Sequence, residues 1–418
     1  MRRSGVLTLV ASLALVAGCG TAMLLPDGRV LLIDIVAKAY DPATGRVSNL
    51  ATPPTIRAYA TATLLDDGRV LIAGGTGGIG GAVSVDGQSA DPSSQTLATA
   101  ELYDPTTDTY APTGSMAAPR ALHIATRLAD GRVLIVGGGV TEPGQSTAPG
   151  VDTLPPPEIY DPATGTFGPA GGNTVIPRIF SSATLLPDGK VLIAGGMSAS
   201  AAPAGASPVP DFQGAPTAEA ELFEPATGTF SATGPMTMAR VWHTATALPD
   251  GRVLVVGGTH DTDTIATTSS VDPTALTAEI YDPATGTFSA TGAPAQQRVG
   301  HAAALLADGK VLVTGGTDAD PITPESLSRS AELFDPATGT FAPTGDMVTG
   351  HAFHTATTLA DGHVLVAGFG EEALAGLGVG ANAMPDLLTS AELYDPATGT
   401  FSTVEVEPAV IPLPSLAT

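Results

Sequence analysis

Short stretches that alternate apolar and polar positions fill the chain beyond the first twenty residues, and none of useful length keeps a helical period. The pattern is clearest from His243 to Ala290. "HTATALPDG", His243 to Gly251, alternates small or apolar residues with polar ones and ends in a turn signal. "RVLVVGG", Arg252 to Gly258, is a β-branched run of the kind found in strands buried on both faces. Asp-Gly between two such runs predicts a hairpin, because glycine supplies the positive φ the turn needs. After a variable loop, "AEIYDP" predicts a third strand, and "ATG" turns the chain into a fourth that begins at Thr287.

This unit recurs. Asp-Gly, then a basic residue or His, then Val-Leu, occurs seven times, with Asp at 27, 67, 130, 188, 250, 308 and 361. A second marker, "DPATG" or close to it, begins at 41, 104, 161, 224, 282, 335 and 395 and alternates strictly with the first. Seven units of four antiparallel strands, repeated radially, predict an all-β, seven-bladed propeller, an arrangement that leaves few exposed sheet edges. Gly-Gly after the second strand (74–75, 137–138, 195–196, 257–258, 315–316), with an aromatic-Asp-Pro-Ala-Thr-Gly-Thr-Phe segment further on, resembles the kelch repeat. The resemblance covers residues 21 to 402 and implies a fold similar to the central domain of galactose oxidase. The usual Trp of the fourth strand is replaced by Phe at 167, 230, 288, 341 and 401, by Tyr110 and by Val47. The double glycine becomes Gly368-Phe369-Gly370 in the last unit and is missing from the first, which is degenerate.

Ahead of the repeats, Arg2 and Arg3 precede an apolar run from Val6 to Val16, too short to span a bilayer as a helix but suited to an export signal. It ends in Val16-Ala17-Gly18-Cys19, which resembles a bacterial lipobox and implies acylation of Cys19 after removal of residues 1–18. The expected division is a signal at 1–18, a propeller at 19–402 and a tail at 403–418. Localisation is then the bacterial envelope, with a lipid anchor as the only membrane contact. The first strand begins two residues after Cys19. Either the loop-bearing face lies against the membrane, or the first strand peels away and the tail from Thr403 to Pro414 replaces it. Prolines 408, 412 and 414 favour the former. Only 17 Lys and Arg stand against 41 Asp and Glu, which excludes a binder that must neutralise many phosphates. A single cysteine excludes an intrachain disulfide and a thiolate zinc cluster.

Antiparallel order puts the Asp-Gly and "ATG" turns at one end of the propeller and the long loops, Thr76–Thr99 and its equivalents, at the other, where binding usually evolves. Ten residues before the turn aspartates stand Arg57, Arg120, Arg178, Arg240 and Arg298, with His351 in the last unit. Three residues before each second marker stand Glu101, Glu158, Glu221, Glu279, Glu332 and Glu392. The first unit lacks both and has Lys38 in the glutamate position. Joint absence suggests structural pairing of arginine with glutamate. The alternative is an arginine ring at the channel mouth that attracts a carboxylate or sugar acid. His123, His243, His301 and His354 are repeat positions that read as packed strand residues rather than metal ligands. His260-Asp261-Thr262-Asp263 and Asp318-Ala319-Asp320 offer oxygen ligands to calcium, but no calcium loop frames either, so no cofactor is expected.

Gly75 to Gly80 fits GxGxxG, but no helix follows it. P-loop, HExxH and GxSxG patterns are missing. The tyrosine–cysteine cross-link of galactose oxidase cannot be carried over, since the one cysteine is Cys19. The expected function is a monomeric binding or scaffolding module that engages a glycan or an envelope protein through its long-loop face. The competing expectation is a glycan-processing enzyme, similar to kelch-fold sialic-acid mutarotases, with Arg, His and Glu at the channel mouth; a purely structural propeller is the third.

Overall fold

The computed structural model describes residues 21–33, 37–51, 55–77, 95–139, 154–198, 215–260, 277–317, 323–368, 370–371 and 388–408. They form a β-propeller whose one regular helical turn among the described residues is the 3-10 turn Pro324–Ser326. Five four-stranded antiparallel sheets stand alone, and an eight-stranded sheet joins the first and last units edge to edge. Seven four-stranded blades result. Their innermost strands are Thr21–Leu24, Thr61–Leu64, Ala121–Arg127, Ser182–Leu185, Thr244–Ala247, Ala302–Leu305 and Thr355–Thr358. Each neighbours the innermost strands of the blades beside it, and the last neighbours the first.

The second strand of each blade explains why the ring packs. Val133 and Ile135 face the seam with blade two, in a cluster with Leu71 and Ala73. Leu134 and Val136 face the seam with blade four, in a cluster with Val191 and Ile193. An unbroken apolar run is thus required, because alternate residues serve opposite seams. Every one of the seven seams holds such a cluster. The fully buried strand-three aromatic of a blade, such as Tyr281, meets the strand-four phenylalanine, here Phe288, with ring centroids 4.8 Å apart. The fourth strands are mostly exposed, which accounts for their Thr and Ser content.

The turns follow their sequence signals. At the Asp250-Gly251 turn, the Gly251 N–H donates to Leu248 O at 2.9 Å and the Arg252 N–H donates to the Asp250 carboxylate at 3.1 Å. Gly251 has φ +88°, out of reach for most side chains without strain. The "ATG" turn uses Gly286, at φ +67°, whose carbonyl also accepts the N–H of Gly234 from the preceding blade at 2.9 Å.

The tail does not replace the first strand in closing the ring. Thr21–Leu24 keeps the innermost place in blade one. The final strand runs from Thr400 to Val406, four residues past the expected boundary, and pairs in parallel with the outermost strand of blade one through Glu405↔Arg46 and Val406↔Val47. An Arg46–Glu405 ion pair and the Glu407 N–H to Val47 O bond, 2.8 Å, extend this clasp. Beneath it Lys38, fully buried, donates from Nζ to Glu407 O at 2.7 Å and to Leu388 O at 3.2 Å. The final strand ends at Val406, ahead of Pro408, so the prolines interrupt none of its pairing. Ending the chain at Ser402 removes the clasp and one carbonyl acceptor of Lys38. The expected loss is about 2 kcal/mol or more, read as a lower denaturation midpoint for residues 20–402 than for 20–418; equal midpoints would show that the clasp adds nothing.

Candidate functional site

The start of each innermost strand gathers the residues singled out by spacing. Arg57 meets Glu101 at 3.0 Å, Arg120 meets Glu158 at 2.5 Å, and Arg178 meets Glu221 at 3.2 Å. Arg240 meets Glu279 at 2.9 Å, Arg298 meets Glu332 at 3.0 Å, and His351 lies 3.4 Å from Glu392. None of these side chains is more than 6% exposed. Each pair lies within one blade, so the structure joins the residues in twos.

Further bonds surround each pair. In blade five, Arg240 Nη1 donates to Gly257 O at 2.8 Å, and the second carboxylate oxygen of Glu279 accepts the Thr237 N–H at 2.7 Å. The equivalent Arg-to-glycine bond, always seventeen residues along, recurs in blades two, three, four and six. The arginine carbonyl accepts the N–H of the second glycine of the preceding blade: Gly75 to Arg120 O at 2.9 Å, Gly196 to Arg240 O at 2.8 Å and Gly258 to Arg298 O at 2.9 Å. The Gly-Gly signature and the arginine are therefore one device. It ties strand ends within a blade and stitches neighbouring blades. Burial pulls the Arg240 guanidinium below its ordinary range while Glu279 holds it up, and burial raises the Glu221 carboxyl against the pull of Arg178.

The repeat histidines occupy the seams. His123 Nε2 lies 2.8 Å from Thr61 Oγ1, His243 Nε2 2.9 Å from Ser182 Oγ, His301 Nε2 2.8 Å from Thr244 Oγ1 and His354 Nε2 2.9 Å from Thr314 Oγ1. Each partner belongs to the preceding blade. A Cβ added to Gly257 would meet His301 Cε1 at 2.8 Å and Arg298 O at 2.5 Å, so the first glycine makes room for the imidazole and the strand end of the next blade, as Gly74, Gly195 and Gly315 do; Gly137 makes room for the strand end alone. Burial drives His123, His243 and His301 down to about 3, with the neighbouring arginines adding to the shift, and drives His354 well below its ordinary value. These imidazoles are neutral at ordinary pH.

One repeat position escaped the sequence reading. Two residues after each arginine, or after His351, the backbone enters the left-handed region: Tyr59 (φ 58°), Leu122 (60°), Phe180 (55°), Trp242 (56°), Gly300 (64°) and Phe353 (51°). For bulky residues this costs about 1 kcal/mol or more each, and Gly300 shows that glycine meets the same demand. The backbone bonds Leu122 N–H to Tyr59 O (3.2 Å) and Gly300 N–H to Trp242 O (3.4 Å) run from blade to blade, so these residues form a collar at the axial end of the loop-bearing face. Phe180 and Trp242 rings lie 5.7 Å apart, and Trp242 meets Phe353 edge-on at 6.3 Å. In the sequence the position reads as Arg-x-aromatic, in "RAY", "RIF" and "RVW", a pattern that ordinary strand packing also produces.

Other expectations fall on residues outside those described: Cys19, most of every long loop except residues 317–330, Asp261 to Asp263, Asp318 to Asp320 and Gly78 to Gly80.

No protein-family model matches the chain, and no curated protein matches it. Among solved structures, it is similar to a fungal alcohol oxidase of the AA5 family in complex with copper, with TM-score 0.60 and 18% identity, over 85% of this chain and 71% of that one. The likeness establishes the galactose-oxidase-like propeller fold. Copper does not fit the described residues: their repeat histidines are separated into different seams, and no group of three or more His, Cys, Asp or Glu among them is placed to hold a metal ion.

Proposed function

We propose that this chain is an exported kelch propeller, lipid-anchored at Cys19 in the bacterial envelope, that binds a glycan or another envelope protein through its loop-bearing face. The observation that carries this reading is the contrast at the strand starts. The repeated arginines and glutamates are spent on one another inside the blades and the histidines on hydroxyls across the seams, whereas two positions beyond the arginines Tyr59, Phe180 and Trp242 present partly exposed aromatic rings on a strained backbone. Strain held at one place on a stiff scaffold is a mark of function rather than of folding. A mutarotase-type enzyme calls for Arg, His and Glu open at the channel mouth; the burial of those described favours binding over catalysis. A monomer suits the reading, since the mature chain closes its own ring.

The test is a glycan array combined with capture from envelope extract, using soluble residues 20–418. Saturable capture of a defined glycan or protein is expected. Turnover of a sugar substrate without stable capture would replace this reading by the enzyme. Anchoring is tested separately: Cys19→Ala should move the protein from the detergent-soluble membrane fraction to the soluble one, and an unchanged distribution would remove the anchor from the proposal.

A further inference from the structure

We infer that the axial collar is a stacking subsite for the ring face of a neutral sugar residue, centred on Trp242. This rests on the binding reading above and narrows its ligand. The rings of Phe180, Trp242 and Phe353 come from blades four, five and seven, and blade six supplies only Gly300 between them. A Cβ at Gly300 would lie 2.9 Å from the Phe353 ring, so the missing side chain is what lets Phe353 reach Trp242. Ile179, Met197 and Val241 form a buried floor beneath, with Leu154 beside it. Phe180 and Trp242 remain partly exposed above that floor, while Phe353 is almost wholly covered. A contiguous aromatic surface supported from below is thus held at the axis, at a position where glycine is the unstrained choice.

The ligand class follows from the polar inventory. Trp242 Nε1 is buried and has no hydrogen-bond partner among the described residues. An indole N–H is a donor only, and when buried it normally finds an acceptor. A sugar supplies both needs once a turn of the indole brings its buried N–H to the exposed rim: C–H groups on its ring face for the aromatic surface, and hydroxyl oxygens on its rim for the indole N–H. An ammonium ligand, the other usual guest of aromatic sites, brings no acceptor. A sugar acid finds no free cation in the underlying pair, since Arg240 is committed to Glu279, Gly257 and Thr277. A neutral pyranose remains.

Trp242 is the only tryptophan in the chain, so intrinsic tryptophan emission reports on the collar alone. Residues 20–418 are titrated with neutral hexose and N-acetylhexosamine oligosaccharides, with choline and a sialylated oligosaccharide as comparisons. The expected result is a saturable change in emission with at least one neutral oligosaccharide, and at least tenfold weaker binding in Phe180→Ala. Trp242→Phe, followed by calorimetry, should keep the stacking surface, lose the N–H and bind severalfold more weakly. If Phe180→Ala fails to fold, Phe180→Leu keeps the bulk without the ring and serves the same test. Glycans that bind on the array while leaving Trp242 emission unchanged would overturn the collar and leave the broader binding reading standing. So would capture of an envelope protein with no response to any neutral sugar. Preference for choline or for the sialylated sugar would overturn the assignment of a neutral ligand.

Discussion

Arg240→Met is expected to destabilise the propeller by about 3–5 kcal/mol, because it strands the fully buried carboxylate of Glu279. The substitution also removes donors from Gly257 O and Thr277 O, both at strand ends near the seam. The contrast with Arg252 makes this a sharp comparison. Arg252 also pairs with an acid, Asp250, at 2.6 Å, but the two side chains are 37% and 47% exposed. Water replaces most of what that partner offers, so Arg252→Met is expected to change stability by no more than about 1 kcal/mol. Urea denaturation of the two variants beside the parent chain measures the difference. Similar midpoints for both would mean that the inner pairs are not the staples their burial implies. Removing both partners, in Arg240→Met with Glu279→Leu, should recover much of the loss, since no unpaired charge is then left inside.

Acid should unfold the protein steeply. His123, His243 and His301 are held at about 3 in the fold, and His354 well below its ordinary value, against about 6.5 in an unfolded chain. Between those values the unfolded state binds more protons than the folded one. Stability is therefore fully present above pH ~6.5 and falls as pH drops toward 3. Each such histidine contributes a slope of about 1.4 kcal/mol per pH unit once the unfolded chain is protonated, so four give roughly 5 kcal/mol per unit. The turn carboxylates, such as Asp130 and Asp250, lie below their ordinary range and add to the loss at lower pH. Glu221, raised by burial, acts in the opposite direction but is a single group. A typical total stability of 5–15 kcal/mol would be exhausted within one to three pH units below about 5.5. Stability measured from pH 7 to pH 4 should show this slope, and His243→Gln should reduce it by about a quarter. A flat profile to pH 4 would mean that the seam imidazoles are protonated in the fold or accommodate the charge.

The repeat was legible because each part of it answers a local demand that a sequence displays directly. Gly251 and Gly286 must take positive φ, and Val253 to Val256 must be apolar on both faces because they serve two seams. The Arg–Glu correspondence was visible for a similar reason, since both positions are lost together in blade one. What replaces them there was not visible. Lys38 finds its acceptors at Leu388 and Glu407, some 350 residues away, and no periodicity connects them. The clasp between Glu405 and Arg46 is hidden for the same reason: it is made once, at the break in the ring. The collar escaped for another cause. Side-chain type at Tyr59, Phe180 or Trp242 suggests ordinary strand packing, and only the backbone angle shows that these residues are held where glycine belongs.

The central claim is that the repeated charges hold the blades together while recognition belongs to the loop-bearing face. Capture on the glycan array and from envelope extract by the Arg240→Met, Glu279→Leu double variant tests it most directly, with a cooperative unfolding transition verified for the same preparation. Undiminished capture of whatever the parent chain binds is the predicted result. A folded double variant that no longer captures it would place the arginines in the binding site and contradict the account.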